Sequence, residues 1–255
     1  MAVLGIDHLV IAVSDPDAAA AGLEQELGLA FTGGGRHTAA GTWNRLAFLG
    51  DAYLELIGVF DRDLTLANRD FPVGLAALAL LDAGREGLVT WAIAVDDCAA
   101  FVARLRDLGS PIGDPLPGSR VRPDGGTVRW VTAGAPLGPD EPPFLIEHEM
   151  EGPEWGPEAL AARRAYRHPG LGKARLGRLV LPVADPAGYA DRCAEVVGVR
   201  FRPDISGWTG FLGFDTVHLH PTATGVPMIQ LDALASGAER RSLVRHGVDW
   251  FVNPG

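Results

Sequence analysis

Residues 5–13, GIDHLVIAV, form an apolar strand pattern interrupted by one imidazole at His8. Ser14, Asp15 and Pro16 then supply a helix cap and a first-turn proline, residues 17–27 run as an Ala-rich helix, and Gly28 stops it. Three further strand candidates follow at 29–32, 42–49 and 53–59, separated by a glycine-rich bend, GGGRH, and a turn at Gly50 and Asp51. The unit reads βαβββ.

The same grammar returns at 89–97, with a helix over 98–108 whose apolar positions Phe101, Val102, Leu105 and Leu108 keep helical spacing, and again at 178–185 with a helix over 186–197. From Val13, Val95 and Val183 the stopping glycines Gly28, Gly109 and Gly198 lie 15, 14 and 15 residues on, and the units recur after 82 and 88 positions. Repeats this long predict paired modules rather than a solenoid. Helices are expected in both connections, VGLAALALL within 71–84 and EALAARRAYR within 157–167, where they could cover the mouth of a cavity. The expected organisation is an α+β fold: a paired unit over 1–153 (modules 1–61 and 86–153, joined by a helical linker over 62–85), a linker over 154–173, and a shorter, appended third module over 174–255. A lone βαβββ sheet leaves an apolar face uncovered, so the third module should pack on the rest of the chain or on its copy in a homodimer.

Composition narrows the function. The 255 residues are 47% hydrophobic and 21% charged, with 33 Gly and 19 Pro, a globular balance with many turns. A net charge of -10 argues against nucleic acid and anionic membrane as partners and favours solubility. The opening residues run straight into a strand pattern, and no apolar run reaches membrane-spanning length, so a cytoplasmic location is expected. Cys98 and Cys193 fall inside predicted helices as small core residues. No dinucleotide fingerprint, phosphate-binding loop or serine elbow is present, which excludes a nucleotide cofactor and serine hydrolysis from the expectations.

Strand alternation puts His8, Val10 and Ala12 on one face and Leu9, Ile11 and Val13 on the helix side; it likewise separates Tyr53, Glu55 and Ile57 from Leu54 and Leu56. His8 and Glu55 are then natural partners. His37, after three glycines and beside Thr42 and Asn44, reads as a loop imidazole, either solvent-exposed or placed over a cavity, where a near-neutral pKa would suit it to act as a general base with Asn44 in the same polar cluster. Arg120 and Arg122 flank a valine on one face, with Asp124 following, and would hold an anionic substrate, unless Arg122 and Asp124 close a local ion pair; Trp91 and Trp130 could wall the site. His148 is expected to face away, and His218 and His220 to share one strand face.

A βαβββ module with DHLVIAV at 7–13 and YLELIGV at 53–59 resembles the vicinal oxygen chelate superfamily. The stretches GGRHTAAGTWNRLAFLGDAYLELIGV, PLPGSRVRPDGGTVRW and PFLIEHE further resemble a glyoxalase-like group of bacterial proteins. The resemblance implies two modules paired into a curved mixed sheet around one cavity, and a divalent metal (Zn, Mn, Ni or Fe) held by His8, Glu55 and Glu147, one ligand short of the two-His, two-Glu set of glyoxalases. It matches Thr90 and Arg178 to His8, and Glu147 and Gln230 to Glu55. It implies lyase or isomerase chemistry on a small oxygenated molecule, with a sequestering protein for an antibiotic or natural product, or a dioxygenase-like oxidoreductase, as alternatives.

Overall fold

The computed structural model describes residues 2–134, 141–234 and 239–254. The first unit comprises β1 (Val3–Ala12), α1 (Pro16–Leu27), β2 (Gly33–His37), β3 (Thr42–Leu49) and β4 (Ala52–Val59). Helices α2 (Arg62–Ala67) and α3 (Pro72–Asp82) lead to β5 (Gly87–Val95), α4 (Cys98–Asp107), β6 (Leu116–Val121), β7 (Thr127–Ala133) and β8 (Phe144–His148). Helices α5 (Gly152–Trp155) and α6 (Pro157–Ala165) then join β9 (Ala174–Val183), α7 (Pro186–Val197), β10 (Phe201–Asp204), β11 (Gly207–Leu212) and β12 (Asp215–Pro221). The chain ends in β13 (Met228–Ala233), β14 (Arg241–Arg245) and β15 (Val248–Pro254).

Each unit begins its long helix by the same device. Asp15, Asp97 and Asp185 each accept an N–H from the residue three further on, Ala18, Ala100 and Gly188, at 3.1, 2.8 and 3.0 Å. Gly28 and Gly198 close α1 and α7 in the left-handed region, at φ +71° and +74°.

The first two units close into an eight-stranded barrel in the order β1-β4-β3-β2-β6-β7-β8-β5. Its two seams differ. Strands β1 and β5 pair antiparallel along most of their length, whereas β2 and β6 meet at the single pair Arg36 and Val121. At that second seam the glycine run is strand, not the expected bend. A β-carbon on Gly34 would stand 2.3 Å from the Asn44 carbonyl oxygen, and one on Gly35 2.2 Å from that of Val121, so only glycine lets the strands approach.

The third unit forms a seven-stranded sheet, β10-β11-β12-β9-β13-β15-β14. The run β9-α7-β10-β11-β12 repeats the topology of the first unit, with β12 parallel to β9 as β4 is to β1. Strand β13 pairs antiparallel with β9 and parallel with β15, as β5 does with β1 and β8, so the C-terminal strands are a shortened second module. The position matching Glu55 is therefore on β12 rather than at Gln230 of β13.

One continuous core joins the halves: Leu9, Ile11 and Val13 from the barrel wall, Leu23 of α1 and Val102 of α4 pack with Leu179, Leu181, Tyr189 and Trp250. Each such side chain contributes roughly 1.5–3 kcal/mol on burial. Trp91, expected to wall the cavity, lies in this core instead and donates its indole N–H to the Tyr189 hydroxyl at 3.3 Å. The apolar face of the third unit is thus covered by the barrel. No described helix is long and apolar enough to cross a membrane.

The interface carries a test. A β-carbon on Gly28 would lie 2.3 Å from Gly170 Cα, while one on Gly84, at a similar φ of +67°, would meet nothing within 4 Å. Gly84→Ala should cost about 1 kcal/mol of left-handed strain, and Gly28→Ala at least about 2 kcal/mol because strain and overlap combine. Equal losses in chemical denaturation would show that the Gly28–Gly170 contact is not tight.

Candidate functional site

The barrel encloses a cavity of 320 Å³. Strand alternation supplies its floor: His8 from β1, Tyr53 and Glu55 from β4, and Phe144, Ile146 and His148 from β8 point inward. Strands β2, β3, β6 and β7 add His37, Asn44, Arg120 and Trp130. Both connections contribute, the first through Phe71, which precedes α3, and through Pro72 and Val73 at its start, and the second through Trp155 of α5.

His8 is held on all sides. Its Nδ1 lies 2.6 Å from Asp7 Oδ1, its ring stacks on Tyr53 with centroids 4.5 Å apart, and Phe144 meets it edge-on at 5.5 Å. His148 Nε2 reaches the same Asp7 oxygen at 3.1 Å. Burial alone would raise the Asp7 pKa, but the facing His148 and His8 hold it well below the usual carboxylate range. An ionised Asp7 only accepts, so His8 carries a proton on Nδ1 and His148 one on Nε2. His8 Nε2 then faces Glu55 Oε2 at 3.5 Å, and the other oxygen of Glu55 accepts from the Asn44 amide at 2.7 Å. Burial raises the Tyr53 phenol well above its ordinary pKa, with the Asp7 and Glu55 charges adding to the effect, so it stays a neutral hydroxyl.

His37 ends strand β2 and is buried, not in an open loop. Its Nδ1 bonds Thr42 Oγ1 at 2.9 Å, and Phe71 and Trp130 flank the ring at 5.1 and 5.8 Å. Burial pushes its pKa down to about 4, opposed by Glu55 and assisted by Arg120, so the expected near-neutral base is an uncharged imidazole with little basicity.

The two arginines part company. Arg120 is buried in the cavity wall, where it donates to the Gly34 carbonyl at 2.6 Å and pairs with Glu154 of α5. Arg122 turns away and grips Asp124 at 2.9 and 3.1 Å, so neither Arg122 nor Asp124 lines the cavity. The pair of guanidinium forks that suggested an anionic substrate is not formed. Glu154 is fixed in turn by Arg163, whose guanidinium donates to its carbonyl and lies between the Phe48 and Trp155 rings at 3.9 and 4.1 Å.

The expected metal set is not brought together. Glu147 points out of the barrel, where Oε2 accepts from Cys98 N at 2.8 Å and caps α4. His148, not Glu147, is the inward residue of that pair. Register explains the mismatch. His8 opposes Ala92 and Val10 opposes Thr90, so the repeat exchanges His8 with Thr90 and Val10 with Ala92. Glu55 sits beside Val10 and Phe144 beside Ala92, which makes Phe144 the counterpart of Glu55. Two nitrogen and oxygen donors from one module face a hydroxyl and a phenyl from the other. Among the described residues no group of three or more His, Cys, Asp or Glu could hold a metal ion. The donors do not fit the four-ligand centre that the fold implies.

Asp7, His148, Glu154 and Trp155 are the site residues that sequence reading missed. Asp7 was the accessible one, since an acid directly before the strand histidine is visible in the sequence.

Two βαβββ modules closed around one cavity define the vicinal oxygen chelate architecture. The chain belongs to the glyoxalase-like domain family, whose model matches residues 6–197. A hypothetical protein from Staphylococcus aureus shares the whole fold, at a TM-score of 0.78 and 14% identity over 98% of each chain. Methylmalonyl-CoA epimerase from Mycobacterium tuberculosis is similar over 57% of this chain and 87% of its own, at 20% identity and a TM-score of 0.40. A Streptomyces coelicolor variant of that epimerase, in complex with 2-nitronate-propionyl-CoA, aligns over 57% of this chain and 94% of its own, at 21% identity and a TM-score of 0.42. No curated protein matches the sequence.

Two measurements test this geometry. Nitrogen-15 NMR of the histidine rings should place a proton on Nδ1 of His8, and Asp7→Ala should release that preference; a ring protonated on Nε2 alone in the intact protein would refute the Asp7 contact. His37 binds a proton at about pH 4 in the fold and at roughly pH 6.5 unfolded. Between these values the unfolded chain binds more protons, so stability should fall as pH drops through that window, by up to roughly 3 kcal/mol from this residue. His37→Asn should flatten the slope measured by denaturant unfolding, and an unchanged slope would mean that His37 is exposed.

Proposed function

We propose that the protein is a glyoxalase-like enzyme of the isomerase or lyase type that moves a proton on a small oxygenated molecule, with Glu55 and His8 as the transferring pair. The observation that supports this most is their opposition at 3.5 Å on the cavity floor, each fixed from behind, Glu55 by Asn44 and His8 by Asp7. In this reading the Glu55 carboxylate takes a proton from carbon next to a carbonyl and passes it to the facing His8 Nε2, which carries none and then delivers it to the substrate oxygen on which charge has developed. Neutral His37 offers that oxygen a hydrogen bond without adding charge. Phe71, Trp130 and Phe144 exclude water from the intermediate. Asn44 and Asp7 are positioning residues. No step is assigned to a metal, because the donors present do not form a set for one.

A second reading, a protein that binds its ligand without turnover, is favoured by the same aromatic walls and by the missing donors at Thr90 and Phe144. Proton exchange separates the two. In deuterated buffer, after dialysis against a chelator, the protein should catalyse deuterium incorporation next to the carbonyl of a susceptible member of a panel of small ketones and oxo acids. Glu55→Gln should slow this at least about 100-fold. Stabilisation by a ligand whose carbon-bound protons never exchange would sink the enzymatic reading and leave the binding one.

A further inference from the structure

We infer that the cavity receives its ligand by a cationic amine group seated against Glu55, between the rings of Tyr53, Phe71, Trp130 and Phe144. This rests on the cavity being the ligand site and goes with the binding reading, because an ammonium seated on Glu55 takes the carboxylate oxygen that proton abstraction would use. Charge points this way first. Glu55, Asp70 and Asp114 line the cavity, and Arg120 is the lining cation among the described residues. That guanidinium is committed to Glu154 and to the Gly34 carbonyl. Asp114 is met by Arg106 at 2.8 Å, but among the described residues no arginine or lysine pairs with Glu55. Its Oε2 has His8 Nε2 as neighbour at 3.5 Å, beyond a good hydrogen bond.

Hydrogen-bond polarity points the same way. Asn44 turns its NH₂ to Glu55 and His148 its Nε2–H to Asp7, so the remaining atoms, Asn44 Oδ1 and His148 Nδ1, are acceptors. Both are buried and have no partner among the described residues. Among the lining residues Trp155 Nε1–H is a buried donor equally without a partner, and with Glu55 Oε2 the open acceptors outnumber it. An ammonium group brings three donors and a positive charge, and aromatic faces attract it further. A carboxylate at the same place would meet like charge and other acceptors.

The full-length protein is titrated at neutral pH and matched ionic strength with benzylammonium, benzyl alcohol and benzoate, read by calorimetry and thermal shift. Benzylammonium should bind at least about tenfold tighter than either of the others, and Glu55→Gln should remove that margin while circular dichroism stays unchanged. Benzoate or benzyl alcohol binding as well as the amine, or no binding by any probe, overturns the proposal, and the probe comparison in the unmodified protein stands even if Glu55→Gln fails to fold. A protein that prefers benzylammonium but exchanges no protons would lose the enzymatic reading and keep this one, whereas exchange without amine preference would do the reverse.

Discussion

Strand β1 is buried on both faces, and this two-sided burial sets the rest of the molecule. Leu9, Ile11 and Val13 pack on one side into the core shared with the C-terminal sheet, while Val10 and Ala12 line up with His8 on the barrel interior. Because side chains alternate strictly, a slip of one residue would put His8 into the helix layer and Leu9 into the cavity. Apolar surface buried against Leu179, Leu181 and Trp250 therefore holds the imidazole in place. The site is a by-product of core packing on the opposite face.

Ionised groups inside such a barrel are costly unless each finds a partner. The structure answers this with nested pairs. Asp7 meets two imidazoles and Glu154 meets Arg120 and, more distantly, Arg122, while Glu55 accepts from Asn44 through one oxygen and keeps the other open to the cavity. Arg163 is stacked between two rings, and burial lowers its pKa only to about 10, so it stays charged at neutral pH. Removing one member of these pairs would leave a buried charge without compensation, which is why conservative replacements are the informative ones. It is also why linker helix α5 belongs to the site, since it brings the counter-ion of Arg120.

The fold was legible because its signals are local. An aspartate cap before a helix, a closing glycine and period-two alternation recur in each unit and need no knowledge of tertiary contacts. Inward orientation of His8, Tyr53 and Glu55 followed from the same alternation. What failed were inferences that need register or proximity. Glu147 was matched to Glu55 by residue type, whereas the ladder pairs Ala92 with Phe144 and turns Glu147 to the helix side. The glycines before His37 carry only a bend signal locally, because their use, a close strand seam against Val121, depends on a residue 86 positions away from Gly35. Arg120 and Arg122 share a face in an ideal strand, but the turn that follows captures Arg122 through Asp124.

The C-terminal sheet shows what the barrel half possesses and it lacks. By the same register, Arg178 stands at the place of His8, His218 at that of Glu55, Met228 at that of Thr90 and Phe251 at that of Phe144. His218 contacts Thr209 there, at 3.0 Å, and no carboxylate opposes an imidazole across β9 and β12 as Glu55 opposes His8. Only seven residues separate β13 from β14, too few for the helix and strand that α4 and β6 supply in the barrel. Without them β10 and β14 remain edges and the sheet cannot close over a ligand. Chemistry is thereby confined to the barrel, and the second sheet acts on it through the shared core, by fixing the outer face of the strand whose inner face carries His8.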